Sequence, residues 1–371
     1  MTAVTVEDQR FMARALQLAA EGLCSADPNP CVGCVIVRDG KIVGEGFHAR
    51  AGEAHAEVVA LVAAGDLAIG ATAYVTLEPC NQHGRKPPCV DALVSARVSR
   101  VVYAVNDPNV SVRGGGGRSL ASSGIAVSVG CCQSAARLLN VGFFKRVETG
   151  RPYVRLKLAA SVDGRTALQS GHSRWLTGDA ARADVQQLRA RSSAILSGFA
   201  SVQHDDSRLS VRDESIALRG RHPLKVILDP MLQLSVAARV LKSAGATLIL
   251  TDSGDSDKCK RLVAAGAEVC GINGHSVREL PAVLGELARR HVNELLVESG
   301  PRLAGAFIAA GLVDELIVYL APHLLGDSAL PFARLPLLSD LKSRWEFRFV
   351  DVRHVGADLR VTLMPQIKEG G

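Results

Sequence analysis

The first part of the chain alternates between two kinds of apolar pattern. Apolar residues in short runs or at every second position predict strands, and apolar residues three and four apart predict helices. The predicted elements are CVGCVIVRDGKIVGEGF (two strands with a turn at Asp39-Gly40), AHAEVVALVAAG (a helix ended by Gly65), ATAYVTLEP (a strand), CVDALVSAR (a helix) and VSRVVYAV (a strand). This alternation predicts a sheet with helices packed on it.

The pattern is interrupted at VETGRPYV, where Gly150 and Pro152 separate two series of elements. The second series has predicted strands at YVRLKLAAS, SAILSG, LKVILD, ATLILT, AEVCGI, ELLVESG and DELIVYLAP, and predicted helices at DAARADVQQLRARS and SVRELPAVLGELARRH. The last stretch, RWEFRFVDVRHVGADLRVTLMP, has two β-type runs and no helix, which predicts an antiparallel pair on the edge of a mostly parallel sheet. We therefore predict two α/β domains, residues 1–147 and residues 148–371.

The composition narrows the class of protein. The chain has 371 residues, of which 47% are hydrophobic, so each of two domains has enough apolar residues for a core. The net charge is +6, but the basic residues are scattered. A scattered charge argues against a nucleic-acid-binding arm and is compatible with phosphorylated small molecules.

The location follows from the N-terminus and the cysteines. EDQRFMARALQLAAEG carries charges among its apolar residues, so it predicts an amphipathic helix and no signal peptide. No apolar run reaches the ~18 residues of a membrane span. The nine cysteines are an odd number in a long chain, which does not suit a secreted disulfide framework. We expect a reduced, cytoplasmic enzyme that binds neither nucleic acid nor a membrane.

Four residues of the first domain have the spacing of a catalytic metal site: His55, Glu57, Cys80 and Cys89. Zinc binds imidazole and thiolate ligands, usually four in a tetrahedron, and a catalytic zinc leaves one position to water. His55, Cys80 and Cys89 supply three ligands, and Glu57 on the same turn as His55 can move a proton. Because zinc lowers the pKa of bound water towards ~7, the set predicts hydrolytic deamination of an amino-pyrimidine.

Three other interpretations compete with this one. A nucleic-acid deaminase uses the same chemistry on a flipped base, but it has Pro-Cys-x-x-Cys, whereas eight residues separate Cys80 from Cys89. Cys31 and Cys34 have the spacing of a structural zinc pair, although the strand character of CVGCVIV favours buried cysteines. The third interpretation is that one domain has become an inactive scaffold, and the intact motifs argue against it.

The loop between Cys80 and Cys89, with PNPCVGCVIV and GFHARAGEAHAE before it, resembles one branch of the zinc deaminases. That branch is the family of bifunctional deaminase–reductases of riboflavin biosynthesis. The resemblance continues through KLAASVDGRTA, SGHSRWLTG, ASVQHDDSRLSVR and VESGPRLAGAFIAAGLVDEL, so it covers nearly the whole chain. It implies an N-terminal cytidine-deaminase-like α/β/α domain and a C-terminal dihydrofolate-reductase-like α/β domain, with Zn²⁺ and NADPH as cofactors.

The resemblance also implies the reactions. The first domain would deaminate 2,5-diamino-6-ribosylamino-4-pyrimidinone 5'-phosphate, and the second would use NADPH to reduce the ribosyl group of 5-amino-6-(5-phosphoribosylamino)uracil to ribityl. The glycine turn of ESGPRLAGAF precedes a predicted helix start, which is a suitable place for a cofactor phosphate. No Gly-x-Gly-x-x-Gly follows a strand, so a Rossmann domain is not indicated. We expect phosphorylated pyrimidine substrates and a homo-oligomer, a dimer or a tetramer.

The resemblance assigns roles to individual residues. The zinc ligands match His55, Cys80 and Cys89, and the proton shuttle matches Glu57. The implied substrate contacts of the deaminase are Asn29, His48 and Arg85. The implied NADPH contacts are Ala159, Trp175, Ser201, Asp205, Gly300, Pro301, Arg302, Leu303, Ala304, Gly305 and Ala306. The implied substrate contacts of the reductase are Lys157, Ser173, Arg189, Leu209, Arg212 and Glu298. The chain departs from the family pattern at Asn81, Gln82, Lys86, Ser207 and Arg208.

Overall fold

A computed structural model describes residues 4–82, 87–109 and 115–366. The chain divides into an N-terminal unit, Met1–Gly150, and a C-terminal unit, Arg151–Gly371. The boundary predicted after residue 147 falls inside the last helix of the first unit, which ends at Thr149. Gly150 ends that helix because its φ of 69° is left-handed, a conformation that glycine adopts without strain.

The N-terminal unit alternates helices and strands. Its elements are α1 (Val6–Ala20), β1 (Gly33–Arg38), β2 (Lys41–Phe47), α2 (Ala56–Ala64), β3 (Thr72–Val75), α3 (Cys89–Ser95), β4 (Arg100–Tyr103), α4 (Gly115–Ser122), β5 (Ala126–Val129), α5 (Gln133–Leu139) and α6 (Val141–Thr149). The predicted turn at Asp39-Gly40 is confirmed, with φ of 52° and 71°, and Gly65 ends α2 as predicted.

The five strands of this unit form one sheet in the order β2-β1-β3-β4-β5. β1 pairs antiparallel with β2 and β3, whereas β3, β4 and β5 are parallel. Successive side chains of a strand point to opposite faces, so Cys34 and Ile36 pack against α2 and α3 while Val35 and Val37 pack against α1. The unit therefore has a sheet between two helical layers.

The C-terminal unit has a longer series. Its elements are β6 (Tyr153–Ser161), β7 (Arg165–Ala167), α7 (Asp179–Arg191), β8 (Ala194–Gly198), α8 (Phe199–Asp205), β9 (Leu224–Leu228), α9 (Arg239–Lys242), β10 (Thr247–Leu250), α10 (Ser256–Ala264), β11 (Ala267–Cys270), α11 (Leu280–Arg289), β12 (Glu294–Glu298), α12 (Pro301–Ala309), β13 (Glu315–Ala321), β14 (Leu330–Pro331), β15 (Phe347–Val355) and β16 (Asp358–Pro365).

Nine of these strands form a sheet in the order β11-β10-β9-β8-β12-β6-β13-β16-β15. The strands from β11 to β13 are parallel, and β16 and β15 join the edge antiparallel. The predicted antiparallel edge pair is therefore confirmed. α11 is shorter than the predicted segment because it begins at Leu280, with Pro281 in its first turn.

Helices cover both faces of this sheet. Leu284 of α11 and Phe307 of α12 pack on one face, and Val185 of α7 and Leu262 of α10 pack on the other. Parallel strands that are covered on both faces consist of nearly continuous apolar runs, which is the pattern that predicted them. Among the described helices, none combines the length and the apolar character that a bilayer crossing needs.

Candidate active sites

Three metal-binding side chains converge in the N-terminal unit. His55 is the N-cap residue of α2, Cys80 follows β3, and Cys89 is the first residue of α3. The Nδ1 atom of His55 lies 3.1 Å from Cys89 Sγ and 3.6 Å from Cys80 Sγ. The three ligand atoms lie within 4.8 Å of one another, and no other cluster of three such residues occurs in the described part of the chain. The structure thus brings together the three predicted zinc ligands.

Two glycines of β2 allow α2 to lie directly on the strand. A Cβ at Gly44 would overlap the carbonyl oxygen of Ala60, and a Cβ at Gly46 would lie 2.6 Å from the carbonyl oxygen of Ala56. Both distances are shorter than side-chain carbons tolerate, so only glycine permits this approach. The close packing fixes the start of α2, and with it the backbone of His55.

The Cys80 sulfur is stabilised as a thiolate. A hydrogen bond from the Cys89 thiol outweighs the opposing effect of burial and, with His55, lowers the pKa of Cys80 to about 4. The backbone N–H of Cys89 also donates to Cys80 Sγ at 3.3 Å. The Cys89 thiol is the donor of this pair, so its own pKa is raised. Two sulfurs and one imidazole nitrogen at this spacing are a donor set that zinc binds, and the residues present therefore fit the metal.

Glu57 lies beside this cluster without belonging to it. It is in the first turn of α2, and only 4% of its surface is exposed. Burial raises the pKa of its carboxyl group, which also contacts the Cys89 thiol. A carboxyl group in this position can exchange protons with a molecule held at the cluster.

Asn29 and His48, the predicted substrate contacts, adjoin the metal cluster. Asn29 Nδ2 lies 3.0 Å from His48 Nε2, and His48 Nδ1 lies 3.1 Å from the Ala54 carbonyl oxygen. Because the amide N–H donates to Nε2, the proton of His48 is on Nδ1, as in a neutral imidazole. The rings of His48 and His55 pack edge-on, with centroids 5.4 Å apart. Outside the described residues lie Arg85 and Lys86.

The segment that leads to Cys80 is held by groups that the sequence-based predictions do not include. Glu78 is 3% exposed, and its carboxylate accepts N–H bonds from Asp107 and Gly117, both at 3.2 Å. A Cβ at Gly116 in α4 would overlap the carbonyl oxygen of Pro79. The glycine run is evident in the sequence, but the contact that requires a glycine at position 116 is made by a distant segment of the chain, so only the fold reveals it.

The C-terminal unit contains a cleft of about 510 Å³ next to the carboxyl ends of β8 and β12. Pockets for small molecules and cofactors typically have ~300–1,000 Å³. Most residues predicted for NADPH and for the uracil substrate line this cleft: Lys157, Ala159, Ser173, Arg189, Ser201, Asp205, Leu209, Glu298, Gly300, Pro301, Arg302 and Leu303. They come from separate segments of the chain that the parallel sheet brings to one edge.

Arg189 and Glu298 form a bidentate ion pair in this cleft. Arg189 Nε and Nη2 donate to the two carboxylate oxygens at 2.6 and 2.9 Å, and Nη1 donates to the Ser210 carbonyl oxygen at 3.1 Å. Burial disfavours both charges, but each partner outweighs it, so the pKa of Arg189 is raised and the pKa of Glu298 is lowered. Burial also lowers the pKa of the nearby Lys157. The pair neutralises itself beside a lysine that faces the cleft.

The start of α12 forms another part of the cleft. Gly300 is the N-cap residue, and its N–H donates to Ser201 Oγ at 2.9 Å. The N–H groups that follow in a first helical turn have no partner within the helix, and such groups bind anions well. The first turn of α12 therefore presents donor groups to the cleft.

Two predicted residues, Trp175 and Arg212, are not part of the cleft lining, although Trp175 lines a neighbouring pocket that shares Ser173 with it. Trp175 is 70% exposed, and its ring packs against the Arg182 guanidinium, 4.6 Å from the ring centroid. Arg212 donates its backbone N–H to Gln186 Oε1 at 2.8 Å. Burial and the nearby Arg189 lower the pKa of Arg212, so it lies close enough to the ion pair to act on it electrostatically.

The last three residues of the predicted cofactor segment also lie away from the lining. Ala304 packs in the core, Gly305 is buried against the Arg334 carbonyl oxygen, and Ala306 is exposed on another side of α12. Successive residues of a helix point in different directions, so seven consecutive residues do not all face one cleft. Only the first turn of α12 lines it.

Asp205 ends α8 at the cleft and has contacts within the protein. Arg174 donates to the Asp205 carbonyl oxygen and lies 3.8 Å from its carboxylate. The neighbouring His204 Nε2 lies 3.0 Å from the Gly171 carbonyl oxygen. These contacts connect the segment 171–174 to the end of α8. Asp205 therefore has a structural role, which an experiment has to distinguish from a role in catalysis.

Two family models match the chain, one in each unit. The cytidine and deoxycytidylate deaminase zinc-binding region matches residues 5–105, and the RibD C-terminal domain matches residues 152–361. Together with the metal cluster and the cleft, these matches define the class of protein: a zinc-dependent deaminase joined to a reductase. The predicted fold class, cytidine-deaminase-like followed by dihydrofolate-reductase-like, is confirmed.

Curated relatives are similar over almost the whole length. Riboflavin biosynthesis protein RibD of Escherichia coli (strain K12) is 47% identical over 368 residues, 97% of this chain and 100% of the relative. The protein of the same name from Haemophilus influenzae is 42% identical over 374 residues, 97% of this chain and 98% of the relative. The chain belongs to the RibD family, the bifunctional deaminase–reductases of riboflavin biosynthesis, which use zinc and NADPH. The predicted family, enzyme class and cofactors are confirmed.

Solved structures agree with this membership. Acinetobacter baumannii RibD (form 1) has a TM-score of 0.91 at 42% identity and covers 97% of this chain and 99% of its own. A deaminase/reductase from Thermotoga maritima has a TM-score of 0.86 at 32% identity, with the same coverage of the two chains.

Proposed function

We propose that residues 1–147 deaminate 2,5-diamino-6-ribosylamino-4-pyrimidinone 5'-phosphate and that residues 148–371 reduce the product. The Thermotoga maritima relative is described as a diaminohydroxyphosphoribosylaminopyrimidine deaminase and 5-amino-6-(5-phosphoribosylamino)uracil reductase. The observation that carries the proposal is the convergence of His55, Cys80 and Cys89 beside the buried Glu57.

In the deaminase, His55, Cys80 and Cys89 would hold the metal and leave one position open. Bound zinc supplies a water of lowered pKa, towards ~7. The Glu57 carboxylate would take one proton from the attacking water and deliver it to the ring nitrogen, and it would then move the remaining hydroxyl proton to the leaving amine. A C–O bond forms, the C–N bond breaks and ammonia leaves. His48, fixed by its bond to Asn29, is placed to orient the substrate.

In the reductase, the first turn of α12 and Ser201 would bind NADPH, which would supply a hydride. The imine carbon of the ring-opened ribosylamine would accept the hydride, and its nitrogen would take a proton from solvent. Lys157 and the pair of Arg189 and Glu298 lie in the same cleft, so they are placed to orient the phosphoribosyl group. The ammonium form of Lys157 can pair with a phosphate oxygen.

The finer predictions on partners and location remain part of this proposal. We propose phosphorylated pyrimidines as substrates, because cationic side chains line the cleft and the closely similar relatives carry the same two domains. The homo-oligomer, a dimer or a tetramer, and the cytoplasmic location stay predictions from the sequence.

A product analysis tests the proposal. The purified, zinc-loaded protein is given the pyrimidinone phosphate, with and without NADPH, and the products are identified by mass. We expect exchange of one amine for oxygen in both samples, and a gain of two hydrogens only with NADPH. An unchanged substrate in both samples, with zinc bound, would contradict the deaminase assignment. A deaminated product that NADPH leaves unchanged would contradict the reductase assignment.

A further inference from the structure

Two arginines stand together at the start of α12. Arg302 and Arg334 both line the cleft and are exposed to solvent. Within the described residues, neither guanidinium has a hydrogen-bonding or ionic partner, whereas the Arg189 guanidinium in the same cleft is engaged by Glu298 and the Ser210 carbonyl oxygen. Two cations of one cleft that have no ion-pair partner of their own are suited to an anionic ligand.

Arg334 is held at this place by its backbone. Its N–H donates to the Pro301 carbonyl oxygen at 2.8 Å. Its carbonyl oxygen lies so close to Gly305 that a Cβ on that glycine would overlap it. The backbone of Arg334 is therefore attached to the first two turns of α12, which explains why position 305 is a glycine. The side chain leaves from a fixed point, and this lowers the entropy that ligand binding costs.

A buried hydroxyl group just before α12 also lacks a hydrogen-bonding partner. Ser299 Oγ is shielded from solvent and makes no hydrogen bond within the described residues, and Ser299 lines the cleft just before α12. A buried polar group that lacks a partner is costly, so a ligand that supplies one is favoured. The hydroxyl, the unpaired N–H groups of the first turn and the two guanidinium groups are all donors, a set that matches the acceptor oxygens of a phosphate.

We propose that Arg334, acting with Arg302, recognises a phosphate of NADPH and so contributes to the choice of cofactor. The inference rests on the proposed reductase function of the C-terminal unit. Arg334 lies outside the predicted cofactor segment, and only its contacts with Pro301 and Gly305 place it there. NADPH carries a pyrophosphate and a 2'-phosphate, both of which offer this chemistry, and NADH lacks the 2'-phosphate.

Binding measurements on the full-length, zinc-loaded protein test the proposal. Dissociation constants for NADPH and NADH are measured by calorimetry for the wild type, Arg334→Ala and Arg334→Lys. In the Arg334→Ala variant, the dissociation constant for NADPH should rise about tenfold or more, because charge-assisted hydrogen bonds are lost. The dissociation constant of Arg334→Lys should lie between those of the wild type and Arg334→Ala, because lysine keeps the charge but not the planar guanidinium group. If only NADPH binding weakens, Arg334 contacts the 2'-phosphate. If the binding of both cofactors weakens, it contacts the pyrophosphate.

The matched control is Arg261→Ala, an exposed arginine of α10 that does not line the cleft. It should leave both dissociation constants unchanged. Unchanged NADPH binding in a folded Arg334→Ala protein would overturn the proposal. An effect confined to the KM of the uracil substrate would also overturn it, since the phosphate would then belong to the substrate. If the wild type itself fails to bind NADPH, the proposed reductase function fails instead, so the two failures are distinguishable.

Discussion

The two candidate sites of this protein are built on different plans. The metal cluster has three ligand atoms within 4.8 Å of one another. The cleft of the C-terminal unit has about 510 Å³ and draws its lining from many separate segments. A metal ion demands a few donors at fixed distances, whereas a dinucleotide and a sugar phosphate distribute their contacts widely. Each ligand of the cluster should therefore be indispensable, and each residue of the cleft should have a graded effect.

The electrostatics of the two sites differ in the same way. In the cluster, the Cys80 thiolate and the buried Glu57 have no arginine or lysine partner among the described residues, so a bound cation would complete the site. In the cleft, Arg189 and Glu298 neutralise each other. The first site would be completed by a cation, whereas the second already holds one neutral ion pair and leaves Arg302 and Arg334 to an anionic ligand.

Removal of a metal ligand should give the largest effect and separate the two sites. The wild type should contain about one zinc per chain, since there is one cluster of three ligands in the described residues. His55→Ala and Cys89→Ser should lose this zinc and all deamination, while reduction of added uracil substrate continues. Metal analysis and two separate activity assays measure this. Stoichiometric zinc in both variants would remove the cluster from consideration as the metal site.

The same contrast explains what the sequence can predict. His55, Glu57, Cys80 and Cys89 are recognisable because metal chemistry restricts both residue type and spacing. The strands of the parallel sheet are recognisable because burial on both faces makes them continuously apolar. Ala304 is different: its sequence position suits the cofactor, but helix periodicity places it in the core. Nor does a local pattern reveal that Arg334 joins α12, because that contact is tertiary.

The next largest effect should come from Glu57→Gln, which changes the proton chemistry and keeps the metal ligands. General acid–base groups contribute typically ~10²–10⁴ in rate, so deamination should fall by that factor. Zinc content should stay at the wild-type level, since Glu57 is not a member of the ligand cluster. Reduction should be unaffected. Deamination within about twofold of the wild type would show that another group moves the proton, since a general acid–base group is worth far more than that.

Arg189→Ala tests whether the cleft depends on its internal ion pair. The substitution leaves Glu298 buried without its cation, and loss of one partner of a buried pair costs about 3–5 kcal/mol of stability. Reduction should fall strongly in a folded variant, because the carboxylate no longer has a fixed position. Deamination and zinc content should not change below the melting temperature of the variant. A normal KM for the uracil substrate with normal stability would show that the pair is dispensable.

Gly116→Ala tests whether the metal cluster depends on the packing around it, because the substitution changes no metal ligand. A Cβ there would overlap the Pro79 carbonyl oxygen, and overpacking typically costs about 1–3 kcal/mol. The displaced segment carries Cys80, so zinc affinity should fall about tenfold, as measured by competition with a chelator. Gly285→Ala in α11, where a Cβ meets nothing within 4 Å, is the matched control and should be neutral or slightly stabilising. Equal zinc affinity in both variants would contradict a positioning role for Gly116.

Asp205→Asn should have the smallest effect. It tests whether a single residue of the cleft lining contributes only partly to the rate of reduction. The Asp205 side chain is 39% exposed, and its carboxylate lies 3.8 Å from Arg174, so the loss of that ion pair should cost at most about 1 kcal/mol. If Asp205 also contacts the cofactor or the reacting carbon, NADPH oxidation with the uracil substrate should fall by up to about tenfold while the melting temperature barely changes.

The adjacent aspartate provides the control for Asp205→Asn. Asp206 accepts the Arg239 N–H at 3.1 Å and does not line the cleft. Asp206→Asn keeps a side chain that can accept the same bond, and asparagine tolerates the left-handed φ of 43° at this position. It should therefore leave NADPH oxidation unchanged. A lowered melting temperature with normal NADPH oxidation in Asp205→Asn would mean that Asp205 only ends α8. In that case the graded response of the cleft would rest on the other lining residues, with Lys157, Arg189 and the start of α12 as the groups to test next.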